Sequence, residues 1–237
     1  MHAIDVKRVI DYFRLEGSGL NLMGHSMGGA ISICTAGTFP KIIRKCLTFD
    51  APSMFPRKTL EAPKNLAAGI KKILEFEESQ KLVPKYSYEE SLQRFLKGRN
   101  YQLTENSARV LLKRGLKIVD QSEDGESLYQ FSRDIKVTLP SMMSFGPEQV
   151  MAFAQNVSCH LRLFTFKDNQ WAALEAGDKE WHQKMMEMRK EICEVYGKNC
   201  QSFKWIEQDG RHHAHLDNPE KMAAEVNTFL MVEDSKL

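Results

Sequence analysis

The sequence predicts an α/β fold with a mostly parallel sheet that is interrupted by a helical insertion. A short apolar run at 20–23 is followed by a small-residue helix pattern and by a second strand-like run that ends at Phe49. The same alternation returns near the C-terminus, where strand patterns at 161–166 and 201–208 enclose a long helix pattern. Alternating strands and helices are typical of parallel sheets, because two parallel neighbours need a crossover connection. Between these parts, residues 56–125 have helical patterns, many Lys and Glu residues and little strand character.

The remaining elements follow from apolar spacing and from helix-breaking residues. Residues 4–15 have one apolar face at helical spacing, and two glycines end this helix. Pro40 stops the helix that follows the first strand. We therefore predict a core of residues 1–55 and 126–237, with a helical cap insertion of residues 56–125. Within these units, helices are predicted at 60–76, 88–96, 105–116, 170–196 and 219–231, and a short strand at 129–139.

Composition and charge exclude several classes of protein. The chain has 33 Lys and Arg residues against 31 Asp and Glu residues, a net charge of +2, and 42% of its residues are hydrophobic. These values are typical of a globular chain and argue against a disordered tail or a dedicated nucleic-acid binder. No stretch of 18 apolar residues occurs, so we predict no transmembrane helix. Five cysteines without a C-x-x-C spacing predict free thiols, and we predict neither a metal nor a cofactor.

The pattern Gly24-x-Ser26-x-Gly28 matches a nucleophile elbow, a sharp turn between a strand and a helix. Such a turn lifts the serine hydroxyl above the sheet, and we expect glycine on both sides because side chains there would clash with the backbone. An apolar strand pattern precedes Ser26 and a small-residue helix pattern follows it. The backbone N–H of Met27 is then expected to donate to a developing oxyanion at the helix N-terminus.

A serine nucleophile needs a base, and histidine is the side chain that titrates near neutral pH. In this fold the order along the chain is Ser, then Asp or Glu, then His, so the base is expected late. The segment 210–220, after the last strand pattern, contains three histidines. We favour His212, where the loop first leaves the strand, and His213 and His215 are the alternatives.

The acid has three candidates, each near the end of a predicted strand. We favour Asp168, which follows the strand 161–166 at the edge where α/β sites assemble. Asp50 ends an earlier strand pattern and is the alternative acid. Asp134 is a third candidate, although its surroundings are more typical of a turn at the end of the insertion.

The last three residues are Ser235, Lys236 and Leu237, the S-K-L address that the peroxisomal import receptor reads at a C-terminus. The tail therefore predicts this receptor as a partner. It also predicts a peroxisomal location, and a further cytoplasmic pool is left open.

Taken together, these motifs resemble the α/β-hydrolases and, within them, the serine hydrolase-like, or Kraken-like, group. The resemblance is carried by GHSMGG, by DAP after the next strand, by FSRD at the end of the insertion, by HHAHLDNPE and by the S-K-L ending. It extends from about residue 4 to residue 231. It implies that Ser26 is the nucleophile and that His212 is the histidine of a G-x-H-x-x-H pattern. Asp168 matches less closely, because the usual glycine-containing spacer before the acid is absent.

The sequence departs from that pattern at its beginning. In α/β-hydrolases several strands precede the elbow, and one following loop supplies a second oxyanion N–H, often from an H-G motif. Only 25 residues precede Ser26 here, and none of them forms an H-G pair. We therefore expect a fold that lacks its N-terminal strands, as in a truncated isoform. Loss of one oxyanion donor costs about 10²–10³ in rate, and an unpaired elbow strand is an exposed sheet edge.

Two functional hypotheses follow. The first is a serine hydrolase that uses a Ser–Asp–His triad and an acyl-enzyme on small-molecule carboxylic ester, acyl or lipid substrates, with apolar cap residues lining an acyl pocket. Serine at the elbow argues against epoxide hydrolase or dehalogenase chemistry, in which a carboxylate is the nucleophile. The alternative is a catalytically inactive, truncated isoform that acts as a binding or regulatory product.

Overall fold

The structure is a computed structural model that describes residues 2–17, 19–78, 83–98, 102–138, 144–168 and 178–231. It separates into two compact units, the larger formed by Met1–Thr59 with Phe145–Leu237 and the smaller by Leu60–Ser144. The helices are α1 (His2–Tyr12), α2 (Met27–Thr38), α3 (Ala62–Glu78), α4 (Tyr88–Lys97), α5 (Glu105–Gly115), α6 (Pro147–Gln155), α7 (Lys179–Asn199), α8 (Ala214–Asp217) and α9 (Glu220–Met231). The strands are β1 (Leu20–His25), β2 (Ile43–Phe49), β3 (Leu116–Gln121), β4 (Ser127–Phe131), β5 (His160–Phe166) and β6 (Ser202–Gln208).

The larger unit is built on a four-stranded parallel sheet with the strand order β1-β2-β5-β6. The inner strands β2 and β5 are buried at nearly every position, as expected when helices cover both faces of a parallel sheet. The register places His25 opposite Phe49, and Phe49 opposite Phe164. The carboxyl ends of β1, β2 and β5 therefore lie side by side at one edge.

Apolar side chains form a separate core on each face of this sheet. On one face, α2, α6 and α7 pack on the inner strands through residues such as Ile33, Val150 and Ile192. On the other face, Met222 and Phe229 of α9 pack against the aromatic residues of β2 and β5. The helix that follows the last strand is thereby held on the sheet, and so is the end of the loop that precedes it.

The smaller unit contains α3, α4, α5 and the antiparallel hairpin of β3 and β4. Its core is formed by Leu92, Phe95, Leu96, Leu103, Ala108 and Leu112. Helix α4 begins with a capping box, in which the Ser87 hydroxyl accepts from Glu90 N–H and the Glu90 carboxylate accepts from Ser87 N–H.

The predicted α/β fold with a mostly parallel sheet is confirmed. The sequence did not predict β3, because five of its six residues are exposed and leave no apolar alternation to detect. A strand was predicted at 129–139, and the observed β4 begins earlier and ends at Phe131. The predicted insertion of 56–125 ends in the turn between β3 and β4. Because these two strands pair with each other, the smaller unit continues beyond residue 125 and ends at Ser144. None of the helices in the described ranges combines the length and apolar character needed to cross a bilayer.

Candidate active site

A single residue, Ser26, separates the end of β1 from the start of α2. Its backbone has φ 53° and ψ −119°, a left-handed φ that is uncommon for a residue with a side chain and that often marks a functional turn. Its N–H donates to the carbonyl of Phe49 at 2.9 Å, which ties the turn to the neighbouring strand. The strained turn therefore presents the half-buried Ser26 side chain at the carboxyl edge of the sheet.

The glycines around this turn have different roles from those expected. A Cβ on Gly24 would lie 2.3 Å from the carbonyl oxygen of Gly28, so a side chain is excluded there. At Gly28 itself, a Cβ would meet no described atom within 4 Å. The position that needs a second glycine is Gly29, where a Cβ would lie 2.7 Å from the Cβ of Ala51. The expectation of crowding at both flanks is thus wrong for Gly28, because the tight approach between α2 and β2 comes one residue later.

The histidine loop follows β6 and returns across the sheet edge to Ser26. It begins at Gly210, whose φ of 130° favours glycine. His212 is buried, and its Nε2 lies 2.9 Å from Ser26 Oγ. Its Nδ1 lies 2.6 Å from Asp50 Oδ2. A carboxylate accepts, so Nδ1 carries the proton, and Nε2 of the neutral ring accepts the hydrogen of the Ser26 hydroxyl.

The carboxylate next to His212 belongs to Asp50, the alternative acid of the sequence analysis. Asp50 follows β2 directly, is 1% exposed and has a left-handed φ of 50°. Its Oδ1 accepts from the backbone N–H of Phe166 at 3.1 Å, and its own N–H donates to the carbonyl of Phe164 at 2.7 Å. The end of β5 thus holds the Asp50 carboxylate in place for the histidine.

Asp168, the acid favoured from the sequence, is not brought to His212, and this expectation is corrected. It is exposed, and the contact that it makes with the histidine loop is through its backbone N–H, which donates to the carbonyl of Gly210 at 3.0 Å. Asp134, the third candidate, is exposed and lies in the smaller unit. The physical reason for the correction is that Asp50 ends the strand beside β1, whereas the strand before Asp168 is one position further away.

The other loop histidines differ from His212 in their surroundings. The ring of His215 stacks on Phe49 with centroids 5.0 Å apart and lies nearly parallel to Phe166. Burial lowers the pKa of His215 from 6.5 to about 3, and the positive charge that His25 and His212 would carry if protonated acts in the same direction. His215 is therefore neutral at ordinary pH and unsuited to take up a proton. His213 is buried and directly precedes α8.

His25, which lies between Gly24 and Ser26, is a further residue of the site. Its Nε2–H donates to the backbone carbonyl of His212 at 2.8 Å, so it links the elbow to the histidine loop. The available signal was its place between Gly24 and Ser26, which puts it at the carboxyl end of β1. One ring nitrogen from each of His25, His212 and His213 lies within 4.8 Å of the others, a grouping that could hold a metal ion.

Met27 is the first residue of α2 and is half-exposed. The first N–H groups of a helix have no partner within the helix, and they carry the positive end of its dipole. The first turn of α2 contains no acidic side chain that would oppose an incoming negative charge. The backbone N–H of Met27 is therefore suited to face a developing oxyanion beside Ser26.

The predicted import signal, Ser235, Lys236 and Leu237, lies outside the described residues.

Comparison with known proteins shows which proteins this chain is similar to. No protein-family model matches the sequence. The chain is 25% identical over 228 residues to a Drosophila melanogaster protein named "Probable serine hydrolase", with 95% of this chain and 63% of that protein covered. It is 24% identical over 231 residues to a serine hydrolase-like protein of Danio rerio, with 97% and 65% covered. The chain thus spans somewhat under two thirds of the length of these two curated relatives.

Among solved structures, a hypothetical protein of Pseudomonas aeruginosa PAO1 matches with a TM-score of 0.72 and 24% identity over 96% of this chain and 71% of that one. The parallel sheet, its crossover helices and the strand–serine–helix turn define an α/β-hydrolase fold. The two curated relatives that carry the names "Probable serine hydrolase" and "Serine hydrolase-like protein" are similar to this chain over nearly all of its length.

Proposed function

We propose that this chain is a serine hydrolase that cleaves carboxylic esters or related acyl compounds, with Ser26 as nucleophile, His212 as base and Asp50 as the acid. The observation that carries the proposal is a continuous chain of hydrogen bonds. Asp50 Oδ2 lies 2.6 Å from His212 Nδ1, and His212 Nε2 lies 2.9 Å from Ser26 Oγ. Both distances are within the reach needed for a base to activate a nucleophile and for an acid to orient that base.

In the first step, His212 Nε2 takes the proton of the Ser26 hydroxyl while Oγ bonds to the substrate carbonyl carbon. The ring becomes an imidazolium, and the Asp50 carboxylate stabilises this charge and keeps the proton on Nδ1. His212 then gives its proton to the leaving alcohol as the bond between that oxygen and the acyl carbon breaks. Water attacks the acyl-enzyme in the same way, and the acid and free Ser26 are released.

The carbonyl oxygen becomes negatively charged in both steps, and the N-terminus of α2 is placed to accept this charge. We assign the Met27 N–H as an oxyanion donor, because it immediately follows the nucleophile on an elbow of this type. The left-handed φ of Ser26 supports the assignment, since it turns the chain sharply from β1 into the helix. A donor of this kind contributes about 2.7–4 kcal/mol to the transition state.

The names of the curated relatives and the serine at the elbow support hydrolase chemistry, while the choice of an ester substrate is our inference from this nucleophile. The test is a fluorophosphonate probe, which reacts covalently with activated serines, together with p-nitrophenyl esters of two to eight acyl carbons. We expect wild-type protein to be labelled and to turn over at least one ester. Ser26→Ala should abolish both, with its thermal unfolding midpoint serving as the control for folding.

The same experiment has an outcome that contradicts the proposal. If correctly folded wild-type protein is not labelled and hydrolyses no ester, this chain is a binding or regulatory product without catalysis. Labelling that persists in Ser26→Ala would mean that another residue reacts with the probe, and Ser26 would lose its assignment.

We also propose that the terminal Ser235-Lys236-Leu237 directs this chain to peroxisomes, because it matches the address read by the import receptor. A fluorescent protein fused to the N-terminus of the chain should co-localise with a peroxisomal marker. Deleting the last three residues should make the fluorescence diffuse. An unchanged distribution after deletion would contradict the assignment.

A further inference from the structure

Four imidazole rings lie together beside Ser26. The ring of His25 has centroid distances of 4.5 Å to His212, 4.7 Å to His213 and 4.2 Å to His215. His25 lies on the elbow strand, His212 and His213 lie on the loop after β6, and His215 lies in α8, so the fold brings the elbow strand and the histidine segment together. His25, His212 and His213 each offer one ring nitrogen within 4.8 Å of the others.

The neutral imidazole is a common protein ligand for zinc and other transition-metal ions. Zn²⁺ is often held by three protein ligands with water in a fourth, tetrahedral position. At a Zn–N distance of about 2.0–2.1 Å, two such nitrogens lie about 3.4 Å apart. Nitrogens that lie up to 4.8 Å apart would therefore approach one another by up to about 1.4 Å, which rotation of the side chains can supply.

The hydrogen bonds of the site decide which nitrogens face a metal. On His212, Nδ1 donates to Asp50, so Nε2, which faces Ser26, is the nitrogen that a metal would use. On His25, Nε2–H donates to the His212 carbonyl, so the lone pair of the neutral ring is on Nδ1. A metal bound to His212 Nε2 would occupy the lone pair that has to accept the proton of Ser26.

We propose that His25, His212 and His213 form an inhibitory site for a transition-metal ion of the Zn²⁺ type, and that the bound ion reversibly blocks Ser26. The binding rests on the geometry of the three rings, whereas the inhibition rests on the proposed function. His25 and Ser26 are half-buried, whereas His212 and His213 are buried, so part of the cluster is accessible to an ion from solvent. Mg²⁺ prefers oxygen ligands and is expected not to bind.

The binding is tested by calorimetric titration of ZnCl₂ into chelator-treated, dialysed full-length protein. Wild type and Ser26→Ala should each bind one Zn²⁺ with similar affinity, because Ser26 is not a ligand. His25→Gln and His213→Gln should each weaken binding by at least about 10–100-fold, the loss that follows removal of even an outer-shell partner. The matched control is His2→Gln, an exposed histidine at the start of α1, which should leave the affinity unchanged.

Absence of Zn²⁺ binding to wild type would overturn the proposed site. An affinity that is unchanged in both His25→Gln and His213→Gln would also overturn it, because the ion would then bind adventitiously elsewhere. Imidazole NMR signals of wild type, recorded during the same titration, need no variant that might unfold. The signals of His25, His212 and His213 should shift. A shift at His2 or His182 alone would overturn the proposal.

The inhibition is measured as the rate of fluorophosphonate labelling of wild type with and without saturating ZnCl₂. We expect labelling to slow by at least about tenfold, as expected when the base is blocked, and to recover fully when EDTA is added. MgCl₂ should have no effect. An unchanged labelling rate at a Zn²⁺ concentration that saturates binding would overturn the inhibitory role. If wild type is never labelled but binds Zn²⁺ through these histidines, the proposed function fails and the metal site stands.

Discussion

Two aspartates at the carboxyl edge of the same sheet differ in their burial and in their contacts with the histidine loop. Asp50 follows β2, is 1% exposed, and both of its carboxylate oxygens accept hydrogen bonds, one of them from His212. Asp168 lies two residues beyond β5, is exposed, and contacts the histidine loop through its backbone N–H. The comparison teaches that residue type and position at a strand end are not sufficient to identify the acid that contacts His212. The backbone turn and the burial of the carboxylate determine which acid reaches the base.

Strand order explains why the difference takes this direction. Neighbouring strands lie about 4.8 Å apart, so the end of β2 is one step from Ser26 and the end of β5 is two steps away. The loop that carries His212 starts at β6, crosses the end of β5 where Asp168 N–H holds Gly210, and reaches the end of β1. The backbone N–H of Asp168 thus helps to position the start of the loop, whereas the Asp50 carboxylate accepts a hydrogen bond from His212 further along it.

Removing the charge of Asp50 tests the comparison where the largest effect is expected. Asp50→Asn should lower kcat for ester hydrolysis by about 10⁴, because an amide in this place favours the wrong histidine tautomer. The measurement is the steady-state rate with the best p-nitrophenyl ester at pH 7.5. A loss of less than tenfold in a protein that unfolds at the wild-type temperature would mean that Asp50 does not serve His212.

Crowding at the end of β1 is tested by a pair of glycine substitutions. Gly24→Ala should destabilise the protein by about 3 kcal/mol, the upper end of the usual overpacking range, because the new Cβ meets the Gly28 carbonyl. Gly28→Ala is the matched control, with an expected change of less than about 1 kcal/mol, since the Cβ enters open space and alanine favours a helix. Urea unfolding gives both values. Equal losses for the two variants would contradict the described geometry of the elbow.

The packing of His215 onto the last residues of β2 and β5 predicts a pH dependence of stability. Its pKa is about 3 in the folded protein and near 6.5 when unfolded, so only the unfolded chain takes up the proton between these values. The contribution of the packed, neutral His215 ring to the free energy of unfolding is fully present above pH 6.5 and is lost as the pH falls from there toward 3. Between pH 7 and pH 5 this costs about 1–2 kcal/mol.

His215→Phe keeps a ring beside Phe49 and removes the titrating group. Urea unfolding at pH 7 and pH 5 should therefore show a smaller pH-dependent loss in this variant than in wild type, by about 1–2 kcal/mol. The same loss in both proteins would show that His215 does not titrate on unfolding in this range.

The smallest effect is expected at Asp168. Asp168→Asn keeps the backbone N–H that holds Gly210, and the side chain is exposed, so unfolding free energy should change by less than about 0.5 kcal/mol. The rate of ester hydrolysis should stay within about twofold of wild type. A loss of activity comparable to that of Asp50→Asn would reverse the roles of the two acids.

Local patterns in the sequence predict where the elbow and the histidine segment lie along the chain. The sequence predicts Ser26 from a motif that encodes its own turn, and it favours His212, with His213 and His215 as alternatives, from the order that a Ser, Asp and His triad takes in such folds. The two aspartates could not be ranked in this way, because both end strand patterns and the sequence does not state which strand lies next to β1. Asp168 was favoured because it directly follows the strand pattern 161–166 at the carboxyl edge, a property that does not separate it from Asp50.

The features that the sequence missed depend on contacts between distant segments. The need for glycine at Gly29 arises from Ala51, and the bond between His25 and His212 joins residues 187 positions apart. Strand β3 was missed although its partner β4 is close along the chain, because the strand is exposed and leaves no hydrophobic pattern in the sequence. Sequence periodicity reports burial against a core, and it does not report either kind of contact.

The most direct test of the comparison is the NMR signal of the His212 Nδ1 proton, assigned by its absence in His212→Gln. A short hydrogen bond from an imidazole to a buried carboxylate should give a strongly downfield resonance in wild type. We predict that this resonance is retained in Asp168→Asn and is lost or moves upfield in Asp50→Asn. Loss of the resonance in Asp168→Asn, with retention in Asp50→Asn, would contradict the assignment of Asp50 as the partner of His212.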